Sequence, residues 1–234
     1  MKKNKMLRIA SVMLVLALIT TCVISGTFAK YVTTGASSDS ARVAKWGVEV
    51  TATSNTAFGS IYKSADGTIN TSYTAGTDSV KSNGDKVVAP GTNGSVAAVT
   101  ITGTPEVKCQ VTYAATIALE GWEVSGAEYC PIIFTVGGAT YGTNDTNATN
   151  KSANVAALIT AVQNAIAASG DVYEAGANLS TAAAKPSISW EWPFETGADA
   201  DAKAANNVKD TALGDAAAAA TISIDVVVTV AQVD

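Results

Sequence analysis

The sequence predicts an all-β fold, a two-sheet sandwich with one or two inserted helices. Three observations carry that expectation. Several segments alternate apolar and polar residues with period two, as strands with one wet face do. Gly/Asn/Pro turns such as "APGTNG" separate them. The composition is rich in small and β-compatible residues, with 47% hydrophobic content, enough for one good-sized core.

Taken in order, the chain opens with "MKKNKMLR", a basic stretch, followed by 21 uncharged residues, "IASVMLVLALITTCVISGTFA". Thr27 and Ala29 are small residues at the −3 and −1 positions of a cleavage site between Ala29 and Lys30. This is the pattern of a secretory signal peptide over residues 1–29. An uncleaved anchor is the competing reading, since about 20 apolar residues can cross a bilayer. Cys22 is read as an ordinary apolar-region cysteine rather than a lipidation site, because "ITT" is a poor context for lipidation.

Next comes "KYVTT", Lys30, Tyr31, Val32, Thr33 and Thr34, a β-prone piece with no strand close by in sequence. The polar tether "GASSDSA" follows, and the main body is expected over 43–234, with Val43 and Trp46 beginning its core. A strand must find partners for its N–H and C=O groups. Three readings of 30–34 stay open: a strand docked in its own subunit, a tail, or a donor strand that fills an edge on a neighbour. The third is favoured here, with Tyr31 and Val32 as buried anchors. Such an interaction is head-to-tail and propagates.

Within the body, "EVKCQVTYAATIALE" places Val107, Cys109, Val111, Tyr113, Ala115, Ile117 and Leu119 on one face. "TISIDVVVTVAQVD" does the same with Ile222, Ile224, Val226, Val228 and Val230. "SVAAVTITG" is a weaker candidate, with Ala97, Val99 and Ile101 aligned; "SISWEW" turns Ile188, Trp190 and Trp192 inward. A helix is expected near 152–169, where Val155, Leu158, Ile159, Val162 and Ile166 keep helical spacing and Ser152 or Asn154 can cap. A softer helical stretch is expected near 198–210, and "GTNDTNATNKS" reads as an exposed polar loop.

Charge and residue content narrow the function. Without the four basic residues of the leader (Lys2, Lys3, Lys5, Arg8), the remaining 11 basic residues face 20 acidic ones. An acidic body argues against nucleic-acid binding. The chain has no histidine, which removes the commonest general base and zinc ligand. No catalytic residue, metal or cofactor is expected. Cys109 and Cys130 are the pair left after processing and make a candidate disulfide, with a free core cysteine as the alternative for Cys109. The Asp/Asn-rich stretches read as solvated loops rather than calcium sites. Trp190 and Trp192 read as core residues rather than a carbohydrate platform.

The residues "SGTFAKYVTT…DSARVAKWGVEV", "VAPGTNGSVAAVTITGTPEV" and "ISWEWPFE…DTALG" resemble the TasA/camelysin family of secreted biofilm-matrix fibre proteins. The resemblance touches both ends and the middle, about half the chain. It implies a jelly-roll-like sandwich with helical decorations and a leader removed by a dedicated signal peptidase. It also implies an extracellular subunit on or around a Gram-positive cell that forms a homopolymer by donor-strand exchange, with an accessory fibre or anchor protein as a candidate partner. Membrane contact would be limited to the signal peptide. A monomeric surface adhesin or carbohydrate-binding sandwich is the alternative. The metalloprotease activity attached to the camelysin name has no support in a chain without histidine.

Overall fold

In the computed structural model, the structure describes residues 13–15, 41–51, 57–96, 99–183 and 186–234. Contacts divide the chain into two units, Met1–Val43 and Ala44–Asp234. Of the first, residues 13–15 are helical and 41–43 are without regular structure. Among the described residues no helix is long and apolar enough to cross a membrane.

The second unit is mostly β. A five-stranded sheet runs in the order β11-β10-β9-β13-β4, built from β4 (Thr92–Ser95), β9 (Ile133–Val136), β10 (Ala139–Thr143), β11 (Asn150–Ser152) and β13 (Ile188–Trp192). Among the described residues a three-stranded sheet runs β12-β6-β14, with β6 (Cys109–Glu120), β12 (Asp171–Tyr173) and β14 (Thr221–Gln232). Two-stranded pairs join β1 (Glu49–Thr51) to β5 (Thr100–Thr102), β2 (Ile61–Lys63) to β3 (Asp78–Lys81), and β7 (Glu123–Val124) to β8 (Ala127–Glu128). All are antiparallel except β10 with β11. The architecture is consistent with a β-rich sandwich.

The alternation read in the sequence is what forms the core. Along β6, Cys109, Val111, Tyr113, Ile117 and Leu119 are buried while Gln110, Thr112, Ala114 and Thr116 alternate with them. Along β13, Ile188, Trp190 and Trp192 are buried. The tryptophans are therefore interior. Trp190 donates its indole N–H to the Ala57 carbonyl at 2.7 Å and stacks on Phe58 at 5.2 Å. Trp192 meets Trp122 edge-on at 5.4 Å. The expected strand at 96–101 is divided: β4 ends at Ser95 and β5 begins at Thr100, where Ile101 is fully buried.

The described residues of the unit form three helices: α1 (Val155–Ala167), α2 (Leu179–Ala182) and α3 (Ala200–Gly214). Asn154, not Ser152, caps α1, its side chain accepting from Ala157 N–H at 2.8 Å. That bond satisfies one of the orphan donors at a helix start. Its buried stripe is Val155, Leu158, Val162 and Ile166. Rather than sitting outside as a decoration, α1 packs on β6 and also touches β9, β10 and β11. Its leucine and isoleucine join residues of both sheets in one core. Helical periodicity alone signals an apolar stripe, but does not say which sheet covers it.

Two sequence expectations are corrected. Val43 is 91% exposed and Trp46 is 37% exposed, so neither begins the core. They lie on a segment without regular structure, and β1 just after it is exposed at all three residues. The loop at 142–152 is not wholly solvated: Thr143, Thr146 and Ala148 are buried. Its threonines satisfy each other locally, Thr146 Oγ1 donating to Thr143 O at 2.7 Å and Thr143 Oγ1 donating to Cys130 O at 3.0 Å. Burial of polar side chains is tolerated when the bonds are made.

Candidate functional site: the outer strand of the long ladder

The longest ladder in the unit pairs β6 with β14 over twelve residues, from Thr221 opposite Glu120 to Gln232 opposite Cys109. On its other side β6 meets β12 only over Cys109–Val111. Among the described residues no strand pairs with the far side of β14.

Both strands show the same alternation, yet their burial differs. The inward residues of β6 are almost all fully buried. Across the ladder, Ile222, Val226, Val228 and Val230 are only half-buried, and Ile224 alone is buried. The apolar floor under β6 therefore thins out under β14. The five inward residues of β14 form an aliphatic rim along the outermost described strand of this sheet.

The chemistry of this edge is unguarded. Natural proteins blunt exposed edges with lysine, proline, bulges or short strands. The sequence of β14, TISIDVVVTVAQ, has no lysine, arginine or proline, and Asp225 is its one charge. No register shift interrupts the β6–β14 ladder. Val227, on the outward face, is 60% exposed. The start of the strand is fixed from inside, because the Trp122 indole N–H donates to Thr221 O at 2.7 Å. The edge is thus long, regular and held in place.

The residues singled out by sequence are distributed as follows. The cleavage pair Ala29–Lys30 and the segment Lys30, Tyr31, Val32, Thr33 and Thr34 lie outside the described residues. Cys109 and Cys130 are both buried and both free, with no bond between them in this structure. Burial pushes the Cys130 thiol up to about 12, assisted by the Glu128 carboxylate and opposed by a backbone bond at Ile132. Burial raises the Cys109 thiol as well. Both sulfurs are held as thiols, which are poor nucleophiles.

Two aspartates of the Asp/Asn-rich stretches have structural partners. Asp199 caps α3 by accepting from Ala202 N–H at 2.8 Å, and Asp145 pairs with Lys209 at 3.6 Å. Asp210 is buried against Tyr129. Sequence reasoning missed this last group, because an aspartate on a polar helix looks solvated. Among the described residues, no cluster of three or more His, Cys, Asp or Glu side chains is arranged to hold a metal ion.

No family model matches the chain, and neither a curated protein nor a solved structure matches it.

Proposed function

We propose that this chain is a secreted structural subunit that polymerises head-to-tail outside the cell. The segment Lys30–Thr34 of one copy, released by cleavage after Ala29, adds as a strand to the β14 edge of the next. The observation that carries this reading is the twelve-residue β14, free of lysine, arginine and proline, whose inward aliphatic residues are for the most part only half-buried. Strand addition gains main-chain hydrogen bonds along an acceptor strand and side-chain contacts from alternate residues. Tyr31 and Val32 are the large apolar groups of the donor. Successive residues of a strand face opposite sides, so one of them meets the rim and the other the outer surface. A donor that leaves its own subunit and an acceptor on a different surface make an interface that does not close on itself.

We further read the sandwich as a jelly-roll variant, its sheets joined by non-sequential neighbours such as β13 between β9 and β4. The proposed setting is the extracellular matrix or surface of a Gram-positive cell. The burial of Trp190 and Trp192 favours this structural role over a carbohydrate-binding face, because neither indole is available to stack on a sugar.

The test uses the exported protein, its N-terminus established by mass. Electron microscopy and size exclusion follow three forms: intact, lacking residues 30–40, and truncated with an excess of synthetic peptide spanning 30–34. Filaments are expected only from the first. The truncated form is expected to be a monomer that binds the peptide one to one. Filaments from the truncated form would end the donor-strand reading.

A further inference from the structure

Helix α3 is attached in an unusual way. It spans fifteen residues, and the residues it buries are Asn206, Asp210 and Leu213. These fall at i, i+4 and i+7, one stripe of a helix. Only one of the three is apolar, whereas α1 buries four aliphatic residues. Val208 is 70% exposed, so the helix does not use it for attachment. Besides Leu213 and its contact with β7, what holds α3 is a polar cluster.

The cluster is compact. Tyr129 Oη donates to Asp210 Oδ1 at 2.7 Å and lies 3.3 Å from Asn206 O. The Asn206 amide donates to Thr196 O at 3.1 Å and to Asp145 O at 3.2 Å. These bonds join α3 to the segment before β9, to the loop before β11 and to the stretch after β13. The charged groups around it are few. Lys209, next to Asp210 on the same helix, lies over the Tyr129 ring at 4.8 Å and pairs with Asp145. Lys203 pairs with Glu195 at 3.2 Å nearer the helix start. Glu128, beside Tyr129, faces α1 instead, accepting from Val155 N–H at 3.3 Å. From β13, the buried Trp192 indole N–H sits near enough to Asp210 to favour its ionised form, yet closes no hydrogen bond by geometry. The Thr196 hydroxyl is likewise buried, near enough to Tyr129 to act on it, yet closes no hydrogen bond by geometry.

Asp210 is thus a carboxyl 8% exposed whose direct hydrogen-bond partner is neutral. A charge taken out of water without a close counter-ion disfavours the state that buries it. We propose that α3 is a proton-controlled latch: it locks on the body when Asp210 is neutral and loosens when Asp210 ionises.

The direction follows from linkage. Burial holds the Asp210 carboxyl above its ordinary value, against the opposing pull of Tyr129, Trp192 and Lys209. A carboxyl raised in the folded state contributes its stability below the unfolded value and loses it as pH climbs through the folded one. The latch is therefore tight in acid and looser above the raised Asp210 value. β14 begins at Thr221, soon after α3 ends at Gly214.

Hydrogen exchange on the full chain tests this. Amides of 200–214 are followed by mass between about pH 4 and pH 8, each rate divided by the intrinsic rate at that pH. In the wild type, protection of α3 is expected to fall about threefold or more as pH rises, while that of α1 stays level. Asp210→Asn, neutral at every pH, is expected to hold the acid-side protection throughout. An equal pH dependence in both proteins, or none in the wild type, would overturn the proposal. Tyr129→Phe gives an independent reading should the first variant not fold. It removes a bond that favours the carboxylate, so the midpoint is expected to move to higher pH. An unmoved midpoint would count against the latch.

Discussion

At the scale of single residues, close approach and burial decide what can change. Gly94 in β4 is a sharp instance. A Cβ there would stand 2.0 Å from the Ala57 carbonyl oxygen and 2.8 Å from the Trp190 indole nitrogen. These are the two atoms joined by the Trp190–Ala57 hydrogen bond, so no side-chain rotation relieves the contact. Gly94→Ala is expected to destabilise the protein by about 1–3 kcal/mol, the range for overfilling a packed site. A thermal melt checks it, and an unchanged midpoint would refute the packing argument. The cysteines give a second expectation at this scale. Cys109 and Cys130 are buried thiols with raised pKa, and the thiolate is the reactive form. Peptide mapping after brief alkylation of the native protein at pH 8 is expected to find both unmodified, and both modified after denaturation. Ready labelling of either in the folded protein would contradict the burial described.

At the scale of elements, strands with a one-sided pattern were legible and short polar strands were not. The period-two runs at 107–119, 188–192 and 222–230 became β6, β13 and β14, because alternation is itself the signature of a half-covered sheet. By contrast β11, Asn-Lys-Ser, carries no apolar signal, yet it pairs in parallel with β10. Its pairing comes from tertiary neighbours, which local pattern does not encode. The helix at 155–167 was legible from its stripe and its cap; its position between the sheets was not. The cap can be tested directly. Asn154→Ala is expected to cost about 1 kcal/mol through loss of the bond to Ala157 N–H, measured by denaturant midpoint. Asn154→Asp, which keeps the acceptor, is expected to retain most of the stability. For the candidate site, sequence offered the aliphatic face of β14 but not its position at an edge, since edge and centre differ only in which strands lie alongside.

At the scale of the whole molecule, the proposed assembly turns on the contrast between β6, covered within the fold, and β14, covered only in part. Placing a charge on the rim separates folding from association. Val226 and Val228 are half-buried in the single subunit, so a long lysine side chain can lift its ammonium group towards water while its stem lies on the rim. The double change Val226→Lys and Val228→Lys is expected to leave a folded monomer by circular dichroism and to abolish filaments. Mixed with intact protein, it is expected to shorten filaments, because it still donates its own leading segment but does not accept one. Filaments of ordinary length and yield from the double variant alone would place the acceptor elsewhere.

The ladder between β6 and β14 also governs when the protein can fold. Thr112 and Thr229, which touch through a side chain–backbone bond, are 117 residues apart in sequence. Contacts this remote are slow to nucleate, because the loop between them must first be closed. A nascent chain that has emerged as far as β6 has the floor of the core but not the strand that runs its whole length. It therefore remains pliable until β14 has also been synthesised, and truncation before Thr221 is expected to leave a sticky, unfinished sheet rather than a smaller version of the same protein.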